Sequence, residues 1–175
     1  MDMRLFTLFF VLLFAPCLLK AQTINPDIYK KNMEILYDAA AKGFKEIKLE
    51  ASGESPAGNK KYHAAKKVSG ASDVYIDVDA EDSHTYYARF ESEDLETAQA
   101  RMEEMVTMAG EIVAEKGLVR KKGTDMNYEG YRKHTLEYDS DNIDLMGKYP
   151  SFEFGIVKGS EPVTIEMVVN EPLWK

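Results

Sequence analysis

Two long amphipathic segments, each followed by a series of short alternating runs, constrain this chain more than any motif in it. In the first segment Tyr29, Met33, Leu36 and Ala40 recur at steps of four, three and four, with Ile28, Ile35 and Ala39 beside them. That spacing lays one apolar stripe along a helix. Asn25 is placed to cap it, Pro26 suits the first helical position, and Asp27 meets the positive end of the dipole. Gly43 is placed to close it in the left-handed conformation. In the second segment Leu95, Ala98, Met102, Met105, Ala109 and Ile112 step by threes and fours, with Ser92 as the expected cap and Lys116-Gly117 as the end.

The runs after each helix alternate with period two, the mark of half-buried strands. After the first helix they fall at 44–50, 62–68, 74–78 and 85–90, the second of these weak. Val74, Ile76 and Val78 share one face, as do Tyr86, Ala88 and Phe90. After the second helix they fall at 131–138, 151–157 and 163–169, with Phe152, Phe154 and Ile156 on one face. Residues 79–84 and 158–161 read as hairpin turns, and 118–129 as a connector with a basic patch. The order predicts an α+β fold of two α-β-β-β units in tandem, 24–91 and 92–175. Two helices would then pack on one face of an antiparallel sheet.

The N-terminus reads differently. Arg4 precedes an apolar run from Leu5 to Phe14, which Pro16 breaks before Lys20-Ala21-Gln22. The run is far shorter than the roughly 20 residues that span a bilayer as a helix. It suits a signal peptide over 1–21, cleaved near Ala21, with 22–175 as a single exported domain, periplasmic or secreted. Cys17 is the only cysteine, so cleavage leaves no thiol for a disulfide, a metal or a nucleophile. Without Arg4, Lys20 and Asp2, the whole-chain totals of 22 basic and 30 acidic residues become 20 and 29, a net charge of −9. An acidic surface of that size argues against nucleic acid as a partner.

Candidate chemistry is sparse. Asp77, Asp79, Glu81 and Asp82 cluster at a hairpin, but Asp82 and Ala88 stand where a calcium loop needs Gly and Glu. Asp139, Asp141 and Asp144 lie in a turn-like stretch. His63, His84 and His134 have no metal-ligand spacing, no G-x-S-x-G occurs, and Glu103 and Glu104 fall on the polar side of the second helix. No metal or cofactor is expected.

Tyrosine is the notable excess, ten against a single tryptophan. Tyrosine joins apolar contact area to a hydroxyl, which suits partner surfaces as well as strands. If the helices cover one sheet face, the other carries Tyr75, Asp77, Tyr87 and Arg89, with Glu153 and Glu166. The first four are the candidate binding residues.

The pattern GFKEIKLE, KKYHAAKKV, DVYIDVD, TYYARFES and LETAQARMEEM resembles small exported proteins of unassigned function from Bacteroidota-type bacteria. The likeness covers roughly 24–116 and rests on structural rather than chemical motifs. It implies the periplasm or cell surface and carries over no active site. The paired helix-and-sheet plan is also similar to that of β-lactamase-inhibitory proteins, whose paired cysteines are absent here. The expectation is an exported, non-enzymatic domain that binds a protein or peptide, with no membrane span in the mature chain. The alternatives are a hydrolase using His134 with loop carboxylates, and a structural component of the envelope.

Overall fold

A computed structural model describes residues 23–174. The expected signal peptide lies outside the described residues. The first helix, α1 (Pro26–Ala40), starts as its sequence dictates: the Asn25 side chain accepts from the Ile28 N–H, and Pro26 occupies the first turn. It ends at Ala40, after which Gly43 and Phe44 both take left-handed φ, 67° and 55°. That pair reverses the chain and buries the Phe44 ring against the sheet, stacked on Tyr86. Phe44 therefore belongs to a turn, and the strand expected at 44–50 begins later.

Four strands follow: β1 (Lys48–Glu54), β2 (Lys60–Ala64), β3 (Asp73–Val78) and β4 (His84–Ser92). The second helix, α2 (Leu95–Val113), is capped by Asp94 rather than Ser92. The Asp94 carboxylate accepts from both the backbone and hydroxyl of Thr97, and Ser92 instead closes β4. A short 3-10 turn leads to Gly117 in the left-handed conformation, φ 80°. Four more strands complete the chain: β5 (Leu118–Thr124), β6 (Tyr128–Tyr138), β7 (Ser151–Val157) and β8 (Val163–Asn170), with the small helix α3 (Ile143–Met146) between β6 and β7.

All eight strands form one antiparallel sheet, ordered β1-β2-β3-β4-β8-β7-β6-β5. Each unit meanders from an outer edge to the centre, and the two meet along β4 and β8. The order is thus symmetric about that junction. The α+β architecture matches the expectation, but each unit has four strands: the run expected at 44–50 supplies β1, and the expected connector at 118–129 supplies β5.

The core lies between the sheet and the two helices. Tyr86, Ala88 and Phe90 face Val169, Met167 and Ile165 across the junction, all fully buried. Phe152, Phe154 and Ile156 extend the layer on β7. Tyr29, Met33 and Leu36 of α1 and Met105, Val106 and Ala109 of α2 close over it in one continuous cluster. The Tyr29 hydroxyl reaches Met167 Sδ at 3.9 Å, tying the first helix to the last strand. Among the described residues, no helix is long and apolar enough to cross a membrane.

Candidate functional site

The four predicted binding residues come together on the helix-free face of the sheet. β3 and β4 are in register there, Tyr75 opposite Tyr87 and Asp73 opposite Arg89. The two tyrosine rings stack with centroids 4.9 Å apart and planes 9° from parallel. Lys61 lies over the Tyr75 ring at 4.4 Å and Arg89 at 5.7 Å. Arg89 reaches across the junction to Glu166, with Nε donating to Oε2 at 3.0 Å.

Exposure corrects part of the expectation. Strand alternation puts Asp77 and Tyr75 on the open face, yet Tyr75 is 2 % exposed and Asp77 4 %. Tyr75 is covered by its own neighbours, the Tyr87 ring and the Lys61 and Arg89 side chains. Asp77 is covered by the turn between β1 and β2, whose Ser55 hydroxyl donates to Asp77 Oδ2 at 2.8 Å. Tyr87 and Arg89 are half-buried. The accessible surface is therefore a cleft of about 460 Å³ rather than a flat sheet face. Pro56 and Ala57 rise on one side of it, and Asn127 and Tyr128 on the other.

Tyr128 was not legible as part of this site. Counting alternation back from His134 and Leu136 puts it on the helix side. But β6 advances five residues between the pairs Tyr128–Val157 and Lys133–Gly155, while β7 advances only two. The excess is odd, so Tyr128 crosses to the open face. Gly130 and Tyr131, at φ 58° and 54°, make the bulge. The Tyr128 ring then lies on Gly155, in space that a Cβ there would occupy at 2.4 Å.

Asp77, Glu153 and Glu166 line the cleft with Arg89, which pairs with Glu166. Burial, followed by Glu166, Asp77 and Glu153, pushes the Tyr87 hydroxyl up to about 12. Burial and the Glu166 and Glu153 carboxylates push Tyr128 up as well. Glu153 accepts from Lys133 at 3.0 Å and from Asn170 at 3.2 Å. Asp77 Oδ1 has no hydrogen-bond partner among the described residues. Comparison with known protein families, curated proteins and solved structures finds no match.

The other candidates lie elsewhere. Asp79 accepts from the N–H groups of Glu81 and Ser83 and so builds its own turn. Asn142 caps α3 within the second acidic stretch. His84 is buried at the sheet end, its Nε2 2.6 Å from Lys48 Nζ and its backbone N–H donating to Glu171 Oε1 at 2.9 Å. Among the described residues, no three histidine, cysteine, aspartate or glutamate side chains gather as a metal site.

His134 lies under α2, beside Glu103 rather than the loop carboxylates. Arg120 donates to its Nδ1 from Nε at 3.3 Å and Nη2 at 3.0 Å. Its Nε2 faces Glu103 Oε1 at 3.2 Å, and Arg120 also binds the other Glu103 oxygen. With Nδ1 accepting, the proton sits on Nε2 and points to Glu103. Burial and the Arg120 guanidinium hold this imidazole below the usual histidine value, with Lys122 and Arg132 adding to the effect and Glu103 opposing it. A depressed folded pKa means that the unfolded chain takes up the proton first. The stabilisation is complete above about 6.5, the ordinary histidine value, and is lost as pH falls toward the folded value. Melting temperature is expected to fall between pH 7 and pH 5, and His134→Asn should flatten that slope. An unchanged slope in the variant would place the titration elsewhere.

Proposed function

We propose that the chain is an exported, non-enzymatic binding domain that takes a protein or peptide on the helix-free face of its sheet. The observation that carries this reading is the cleft between the two hairpin turns, floored by paired tyrosines and carboxylates. Interface cores are enriched in aromatic residues and arginine, and the cleft carries Tyr87, Tyr128 and Arg89. Export rests on the N-terminal segment. A hydrolase built on His134 would need an imidazole nitrogen open to substrate, and Arg120 and Glu103 engage both.

Position-specific photo-crosslinking in the host's envelope tests this. A photoreactive phenylalanine analogue in place of Tyr87 is expected to trap one partner. The same analogue in place of Glu104, on the exposed side of α2, is expected to trap none. Capture from Glu104 alone, or equal capture from both positions, would move the interface off this face.

A further inference from the structure

We propose that the hollow between α2 and the β5–β6 hairpin binds a phosphate group, held between Lys122 and Arg132. The hollow lies on the helix side of the sheet, so its failure as a site would leave the docking face on the other side untouched. Lys122 stands opposite His134 across the ladder, and Thr124 opposite Arg132. Lys122 and Arg132 are therefore diagonal neighbours on one face. Such a diagonal is roughly 7–8 Å wide, within the reach of two long side chains that converge on one group. Both side chains are exposed, and neither makes an ion pair with a described residue.

The other charges nearby are already engaged. Glu103 binds Arg120 and faces His134 Nε2. Lys133 turns to Glu153 at 3.0 Å and to Asp125 at 3.8 Å. Glu96 and Glu129 line only the adjoining hollow, and Glu129 accepts from the Gly159 N–H at 2.8 Å. Two positive charges remain, side by side, next to an imidazole that both of them help to keep neutral. Like charges placed this close on a sheet oppose folding, and an anion between them relieves that repulsion.

The count of charges selects the anion. Two unmatched cations suit a dianion, and a phosphate monoester carries about −1.5 to −2 at neutral pH. A carboxylate would leave one cation unmatched. The planar fork of Arg132 can grip two phosphate oxygens, and the Lys122 ammonium, a compact charge, can take the third. The hollow measures about 590 Å³, far more than one phosphate group fills, so it has room for the rest of a small phosphorylated molecule. A polyanion is a poorer fit, because the chain as a whole has 30 acidic residues against 22 basic ones and repels it.

The test is a titration of the isotope-labelled mature chain, followed by backbone amide resonances. The probes are glycerol phosphate, inorganic phosphate and acetate, at constant ionic strength and about pH 7.5, where a phosphate monoester is a dianion. Glycerol phosphate is expected to shift the Gly123, Thr124 and Arg132 amides to saturation and to leave Tyr87 unmoved. Lys122→Gln and Arg132→Gln should each weaken binding at least about tenfold, since a charge-assisted hydrogen bond is lost. Neither should lower the melting temperature, because both side chains are exposed and repel each other. Tighter binding of glycerol phosphate than of inorganic phosphate would support the site and assign it to an ester. Equal binding of the two would support it and assign it to free phosphate. Acetate binding as tightly as either would overturn the selection of a dianion. Undiminished binding in the double variant, or no saturable shift at these amides with any probe, would overturn the site itself.

Discussion

Phe154→Ala is expected to lower the unfolding free energy by about 3–5 kcal/mol. Phe154 is fully buried in β7, with His134 opposite on β6 and Met167 opposite on β8. It sits in the cluster that joins both helices to the sheet. A cavity there has little means of collapsing. Two paired strands fix the backbone on either side, and α2 lies above, itself packed on α1. Because the cluster crosses the β4–β8 junction, the loss should be felt by the whole domain. Urea unfolding followed by circular dichroism should give a single transition, its midpoint lowered and its slope unchanged. A midpoint close to the wild type would mean that the site repacks. Two separated transitions would mean that the units fold independently and that the core is not shared.

The contrast between what the sequence shows and hides follows burial. β3, β4, β7 and β8 are central and turn one apolar face to the helices, so their sequence alternation is clean, and their inward faces could be read directly. The two edges could not. β5, LVRKKGT, buries only Leu118 and spends the rest of its length on charge and glycine. An edge strand is expected to look like that, since charge there discourages pairing with another chain. A run without an apolar face reads as a connector. β1, KLEASGE, lies at the opposite edge with two register shifts; it is expected over 44–50, four residues early, because Ile47 and Leu49 carry the alternation there. Helix stripes were legible because a helix on a sheet buries one face throughout. The Ser92 cap was misplaced by two residues because Asp94, with Thr97 three positions on, is the stronger acceptor at the turn.

The candidate site was half legible for a related reason. Period-two counting puts Tyr75, Asp77, Tyr87 and Arg89 on one face of adjacent strands, and that placement needs no tertiary information. It cannot say what lies above that face. The Ser55 turn that covers Asp77 and the bulge that delivers Tyr128 are set by register, which period alone does not fix. One local trace of the bulge was present: Gly130 beside Tyr131, just ahead of an otherwise regular strand, a glycine position that often marks a bulge.

Gly155→Ala tests that bulge and the wall it builds. Gly155 follows Phe154 and so faces the open side of the sheet, paired with Lys133 and Glu166. A Cβ at this position would meet three atoms of the Tyr128 ring at 2.4, 2.5 and 2.7 Å. The ring is 6 % exposed, so it cannot yield without leaving its seat. Overpacking of this kind costs about 1–3 kcal/mol. The cost should depend on Tyr128 alone. In Tyr128→Ala the clashing atoms are gone, and adding Gly155→Ala there should cost little or even help, since alanine is the better strand residue. A double-mutant cycle measured by urea unfolding gives the coupling directly. Strong coupling would establish that glycine is present in the middle of β7 to seat the tyrosine that walls the cleft. Additive losses would mean that Gly155 is needed for its backbone, and that Tyr128 takes its place over the sheet for another reason.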